Sequence, residues 1–244
     1  MKALKALFFD LDETLLDGRG KREAILRTCS KIAGSRPGLD ATRLLQANTE
    51  VWQCYWPEVE DKWTLGTLEG KTVSLEAWRR TLRACGCQDE VVAQLARDTH
   101  WQNRRETLRL FDDVQDLLTL LQAQVSFALI TNGASDTQRE ALRVLGIEHY
   151  FGAVIISGEV GIAKPDASVF RLALDKLGVE PEAVWHVGDS LRNDVAGAKA
   201  ASLAAVWLNR SGIPRREADP KPDYEIRSLA ELASLLLTET SAKP

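Results

Sequence analysis

The chain has 244 residues, 45% apolar and 27% charged, proportions of a folded globular protein with one large domain or a core and a smaller companion. Its net charge of −4 gives no electrostatic footprint for nucleic acid, and no apolar run approaches the roughly 20 residues that cross a bilayer, so neither nucleic acid nor membrane is an expected partner. Met1 to Lys5 lead directly into the first acidic motif, which a cleaved leader would remove, so the expected location is cytoplasmic.

The first element is a short buried strand, Leu7-Phe8-Phe9, from which Asp10-Leu11-Asp12-Glu13-Thr14 emerges. Residues 17–109 differ in kind from the rest of the chain. Apolar positions recur at helical spacing through Glu23 to Ala33, Ala41 to Trp56, Leu75 to Cys85 and Glu90 to Arg105, with no strong strand pattern. This reads as an inserted four-helix domain. It holds Trp52, Trp56, Trp63, Trp78 and Trp101, chiefly as packing for a small bundle. Arg19, Lys21 and Arg22 read as a solvated basic helix start. Cys29, Cys54, Cys85 and Cys87 lack a second cluster that would complete a zinc site and read as buried free thiols.

Asp112 to Gln122 is a helix returning the chain to the core. Strands and helices then alternate: strand Val125 to Ile130, helix Ser135 to Leu145, strand Ala153 to Ile156, helix Ala167 to Leu177, strand Val184 to Val187. A short helix over Val195 to Ala201, strand Ala204 to Leu208, the Pro-rich loop Ile213 to Pro222, strand Tyr224 to Ile226 and helix Ser228 to Leu237 complete the series, before a small polar tail from Thr238. This alternation predicts an α/β fold with a doubly wound parallel sheet, a Rossmann-like core of residues 1–16 and 110–244.

Four sets of polar residues sit at the ends of these strands, where open α/β sheets place their ligands. Asp10 and Asp12, two apart, face one side if the chain stays extended there. Thr131-Asn132-Gly133 offers donors at the start of the next helix, suited to an anion. Lys164 precedes a helix start, a poor place for a cation unless it neutralises a bound phosphate. Asp189 and Asp194 share the glycine-led turn Gly188 to Asp194 and complete an oxygen-rich site for a hard cation.

In this order the four sets resemble the motifs of the haloacid dehalogenase superfamily, and the helical insertion resembles that family's cap domain. The resemblance implies a hydrolase of phosphoric monoesters: a magnesium-dependent phosphatase of a small phosphorylated metabolite, acting through an aspartyl-phosphate. Asp10 would be the nucleophile and Asp12 the general acid/base. Thr131, Asn132 and Lys164 would bind phosphate. Mg2+ would be held by Asp10, the main-chain carbonyl of Asp12, and Asp189. Asp194 would be a further ligand or would orient a bound water or Lys164. Within the family, Thr131 to Gly133 with Thr137-Gln138-Arg139-Glu140, Glu159 with Lys164-Pro165, and Val206 to Asn209 with Ser211-Gly212 are similar to N-acylneuraminate-9-phosphatase and pyrimidine nucleotidase-like members. The substrate choice therefore spans sugar phosphates, sialic acid phosphates and nucleotides. A phosphomutase shares the motifs. A haloacid dehalogenase would lack the acid at Asp12, and a non-catalytic binding protein would have lost one of the acidic or lysine positions. Oligomeric state is not legible at this level.

Overall fold

The computed structural model describes residues 4–241. In chain order the elements are β1 (Ala6–Phe9), α1 (Arg19–Ser35), α2 (Ala41–Thr64), α3 (Gly70–Ala84), α4 (Glu90–Thr107), α5 (Val114–Leu121), β2 (Ser126–Thr131) and α6 (Ser135–Leu145). They continue with β3 (Ala153–Ile156), α7 (Ser157–Val160), α8 (Ala167–Leu177), β4 (Val184–Gly188), a π-helical turn (Leu191–Val195), α9 (Ala196–Ala200), β5 (Ala204–Leu208), β6 (Tyr224–Ile226) and α10 (Leu229–Ser241). The chain divides into two units. One holds residues 4–17, 110–132 and 146–241; the other holds 18–109 and 133–145, so that α6 groups with the helical insertion.

The first unit is built on a six-stranded sheet, all parallel, in the order β3-β2-β1-β4-β5-β6. This is the doubly wound α/β class expected from the alternation of strands and helices. β1 is buried along its length because both faces of its sheet are covered. Phe8, Ile130, Ile155, Ala205 and Trp207 share one buried cluster with Val169, Phe170 and Ala173 of α8. Leu7 and Phe9 point to the opposite face by strand alternation, where Phe9 meets Phe127 edge-on with ring centroids 5.7 Å apart.

In the helical unit α1 packs on α2 and α4, and α3 packs on α2 and α4. Trp78 is buried among Cys29, Ile32, Leu44, Leu82 and Ala96, while Trp52, Trp56 and Trp63 pack against a second cluster of Tyr55, Val59, Val73 and Ala77. Gly20 lets α1 approach α4, since a Cβ there would lie 2.2 Å from the Thr107 carbonyl oxygen.

Several elements depart from their sequence-based bounds for identifiable reasons. α2 runs past Pro57 to Thr64 rather than stopping at Trp56. Proline disfavours helix just before itself, but Val59 and Trp63 extend the buried stripe and packing prevails. α3 starts at Gly70, five residues before Leu75, because the Asp136 carboxylate accepts from the Gly70 and Lys71 N–H groups at 2.8 and 3.0 Å and caps the helix. Ser157 to Val160, expected as loop, forms one helical turn closed by Gly161 at φ +70°. Cys54 is exposed rather than buried, and Cys85 and Cys87 are half-buried; all four cysteines are free thiols. Arg19, Lys21 and Arg22 are exposed at the start of α1, as expected. The last three residues of the predicted polar tail, 242–244, lie outside the described residues.

Candidate active site

Strand order fixes where the chemistry can sit. The connections from β1 run to β2 and β3 on one side, while β4, β5 and β6 lie on the other. The crevice beyond the C-terminal ends of β1 and β4 is thus the switch point of the sheet. Asp10 comes directly after β1 and its N–H donates to Val187 of β4 at 3.0 Å, which places its buried carboxyl in that crevice.

Lys164 reaches the same point. Its Nζ donates to Asp10 Oδ1 at 2.5 Å and to Asp194 Oδ1 at 2.7 Å, with only 2% of the side chain exposed. The main chain of Lys164 is gripped by Asn132, whose Nδ2 donates to the Lys164 carbonyl and whose Oδ1 accepts from the Lys164 N–H, both at 2.9 Å. The Asn132 amide, expected to bind phosphate, is therefore engaged in holding the lysine.

Asp194 is held from several directions. It lies in the π-helical turn after Ser190, whose hydroxyl accepts from the Asn193 N–H at 3.1 Å. Its Oδ2 accepts from the Ser190 N–H at 2.9 Å, and its Oδ1 accepts from Lys164 and lies 3.0 Å from His186 Nε2. Gly188 makes room for it, because a Cβ there would lie 2.2 Å from Asp194 Cγ. Asp189 is partly exposed, and its carbonyl accepts from Trp207 Nε1 at 2.9 Å.

Burial sets the electrostatics. Desolvation raises Asp10 well above the usual carboxylate range against the pull of Lys164. Asp189 is pushed up to about 7 by burial and by the nearby Asp194 charge. Burial also opposes the Asp194 carboxylate, but Lys164 and His186 outweigh it and hold Asp194 well below the usual range. Lys164 loses to desolvation and gains more from Asp10 and Asp194, so it stays charged far above neutral pH. One oxygen each from Asp10, Asp189 and Asp194 lie within 4.8 Å of one another. An all-oxygen donor set of this kind, with two carboxyls held above their normal range, fits a hard divalent cation.

Asp12 lies three residues beyond β1, and Thr131 ends the neighbouring β2. Thr131 is buried at the end of β2. Asp12 is half-buried in a tight turn, where the Leu15 and Leu16 N–H groups donate to the Leu11 carbonyl and Glu13 takes φ +60°. Arg210 anchors this turn: its guanidinium makes two 2.9 Å bonds to Asp113, donates to the Thr14 carbonyl at 3.1 Å and lies over the Phe111 ring. A cavity of about 380 Å³ opens beside Asp189, walled by Glu13, Phe111, Trp207 and Arg210. Sequence reasoning missed His186, Ser190 and Arg210. The signal for His186 was a lone ionisable residue in the apolar strand Val184-Trp185-His186-Val187.

A doubly wound sheet with a lysine bridging two buried aspartates at its switch point defines an α/β enzyme built to handle anionic groups. The chain belongs to the haloacid dehalogenase-like hydrolases, whose family profile matches residues 4–202. It is 34% identical to a phosphoserine phosphatase of Thermus thermophilus over 94% of this chain and 98% of that protein. It is 31% identical to the N-acylneuraminate-9-phosphatase of Mus musculus over 97% and 95%. Among solved structures it is similar to the HAD-hydrolase YfnB of Bacillus subtilis, determined bound to magnesium, with a TM-score of 0.73, 28% identity, and coverage of 96% of this chain and 99% of that one.

Proposed function

We propose that this protein is a magnesium-dependent phosphomonoesterase of a small phosphorylated metabolite. The observation that carries the reading is the Lys164 bridge between Asp10 and Asp194 in the switch-point crevice, with Asp189 beside it. Two of the three Nζ donors point at carboxylates, and the ammonium supplies the positive charge a phosphoryl group needs beside a carboxylate nucleophile.

Asp10 attacks phosphorus, the bond to the leaving oxygen breaks, and Asp12 gives that oxygen its proton. Asp12 then takes a proton from water, which attacks the aspartyl-phosphate and releases inorganic phosphate with Asp10 restored. Thr131 and Lys164 stabilise charge on the equatorial oxygens through both steps. Mg2+ would be held by Asp10, the Asp12 carbonyl and Asp189, where it would offset repulsion between carboxylate and phosphate. Asp194 orients Lys164. The acid at Asp12 supports phosphate chemistry over displacement of halide, which has no leaving alkoxide to protonate.

The phosphatase names of the relatives support a small phosphorylated substrate. The helical unit is proposed as the family's cap domain, which selects the leaving group. Four free thiols accord with a reducing cytoplasm, and among the described residues no helix is long and apolar enough to cross a membrane.

The test is release of phosphate from an aryl phosphate and from a panel of sugar, sialic acid, nucleotide and amino acid phosphates, with and without magnesium. Magnesium-dependent release supports the reading. Conversion of a sugar phosphate to its isomer without free phosphate would replace it with a mutase.

A further inference from the structure

His186 is the one residue of β4 whose presence the strand does not explain. Its neighbours in register are Phe8 on β1 and Ala205 on β5, both members of the buried apolar cluster, and the Phe170 ring meets its imidazole edge-on at 4.9 Å. A valine or leucine would satisfy that environment. The imidazole is instead buried, a costly place for a polar ring. Its Nε2 lies 3.0 Å from Asp194 Oδ1, the same oxygen that receives Lys164.

We propose that His186 is a positioning residue: its Nε2–H fixes the Asp194 carboxylate so that Oδ1 can anchor Lys164 beside Asp10. A carboxylate oxygen only accepts, so the ring nitrogen facing it must carry the proton. A neutral imidazole carries one N–H, which in this geometry is the one on Nε2. Asp194 is thereby held by donors on two sides, His186 from within the sheet and the Ser190 N–H from the turn, with the Gly188 backbone against its flank. Only the lysine is left to be placed. Phe170 sets the plane of the imidazole, so the aim of Asp194 traces back to how α8 packs on the sheet. This role rests on the phosphatase reading for its kinetic consequence, but the hydrogen bond itself does not.

The experiment pairs kinetics with NMR. With an aryl phosphate and magnesium, His186→Leu should lower kcat by about 10- to 100-fold while KM changes little. His186→Gln, whose Nε2 can occupy the place of the imidazole nitrogen, should recover most of that loss. Melting temperatures of both variants confirm that folded protein is compared. Wild-type kcat in His186→Leu, or equal impairment in His186→Gln, would overturn the proposal. If wild type and Asp10→Asn alike release no phosphate from any ester, the phosphatase reading fails and the spectra still decide. The chain has three histidines, so ¹⁵N-histidine correlation spectra can resolve His186. They should show an Nε2–H whose proton shifts in Asp194→Asn. An Nδ1–H tautomer, or a His186 signal indifferent to Asp194→Asn, would refute it.

Discussion

The two units place charge in opposite ways. In the sheet unit the decisive charges are buried: Lys164, Asp10 and Asp194 have side chains 2–9% exposed and are joined directly. In the helical unit the ion pairs lie outside. Arg79 with Glu90, Arg80 with Glu58, and Arg36 with Asp89 all have partly exposed side chains, while Trp78 and its apolar neighbours fill the interior. Burying charges costs more than their mutual attraction returns unless geometry and further hydrogen bonds are favourable. A sheet that needed only stability would have apolar residues at these positions. The arrangement teaches that the crevice is maintained for chemistry at the expense of stability.

The sharpest way to break the comparison is to remove the proposed nucleophile. Asp10→Asn should cut turnover by about ten-thousandfold or more while leaving the protein folded, measured by phosphate release alongside circular dichroism. A variant that kept a tenth of wild-type turnover would remove Asp10 from its assigned role.

Lys164→Met comes next and should act on both function and fold. Turnover should fall by about 10²- to 10³-fold, as when an electrostatic stabiliser is lost. Two buried carboxylates would also lose their counter-charge, a change that costs about 3–5 kcal/mol in denaturant melts. Loss of activity with unchanged stability would mean that the carboxylates take up protons instead.

Gly188→Ala separates space from charge. The new Cβ would meet Asp194 Cγ at 2.2 Å and Oδ2 at 2.5 Å, so the carboxylate must shift. Overpacking of this kind costs about 1–3 kcal/mol, and turnover should drop by about tenfold as Lys164 loses its anchor.

Protonation gives a subtler contrast within the same centre. Asp189 has its folded pKa raised to about 7 from 3.8. Between those values the folded protein holds a proton that the unfolded chain has released, so stability falls as pH rises through that window. Asp194 has the opposite sign. Its folded pKa is depressed, so its contribution is full above the usual carboxylate value and is lost as pH falls below it. With a chelator present, Asp189→Asn should flatten the decline in melting temperature between about pH 4 and 7. An unchanged slope would mean that Asp189 titrates alike in both states.

Most of the sheet was legible because parallel strands buried on both faces carry short apolar runs, and each acidic motif sits where such a run ends. Asp10 and Asp189 stand out as charge just past an apolar run, Asp194 as the second acid of the same turn, and Lys164 as a cation just ahead of a helix start. The boundaries of α2 and α3 were not legible, because Pro57 argues locally for a stop and the cap on Gly70 comes from Asp136, 66 positions away. The Asn132 grip on Lys164 was hidden likewise, since its partner lies 32 positions away, and His186 was hidden because the π-helical turn folds Asp194, eight positions on, back to the strand.

The smallest effect belongs to the helical unit and completes the contrast. Arg79 donates to Glu90 at 2.8 and 2.6 Å, a geometry that by distance alone would be strong. Both side chains are well exposed, at 38% and 49%, so water competes for the same bonds and salt screens the attraction. Arg79→Ala should therefore leave the melting temperature within error of wild type, and what small change there is should vanish in high salt. A clear loss of stability that persists in high salt would show that the exposed network of Arg79, Arg80, Glu58, Glu76 and Glu90 acts as a unit. The division between buried charge for chemistry and surface charge of little consequence would then fail in this half of the molecule.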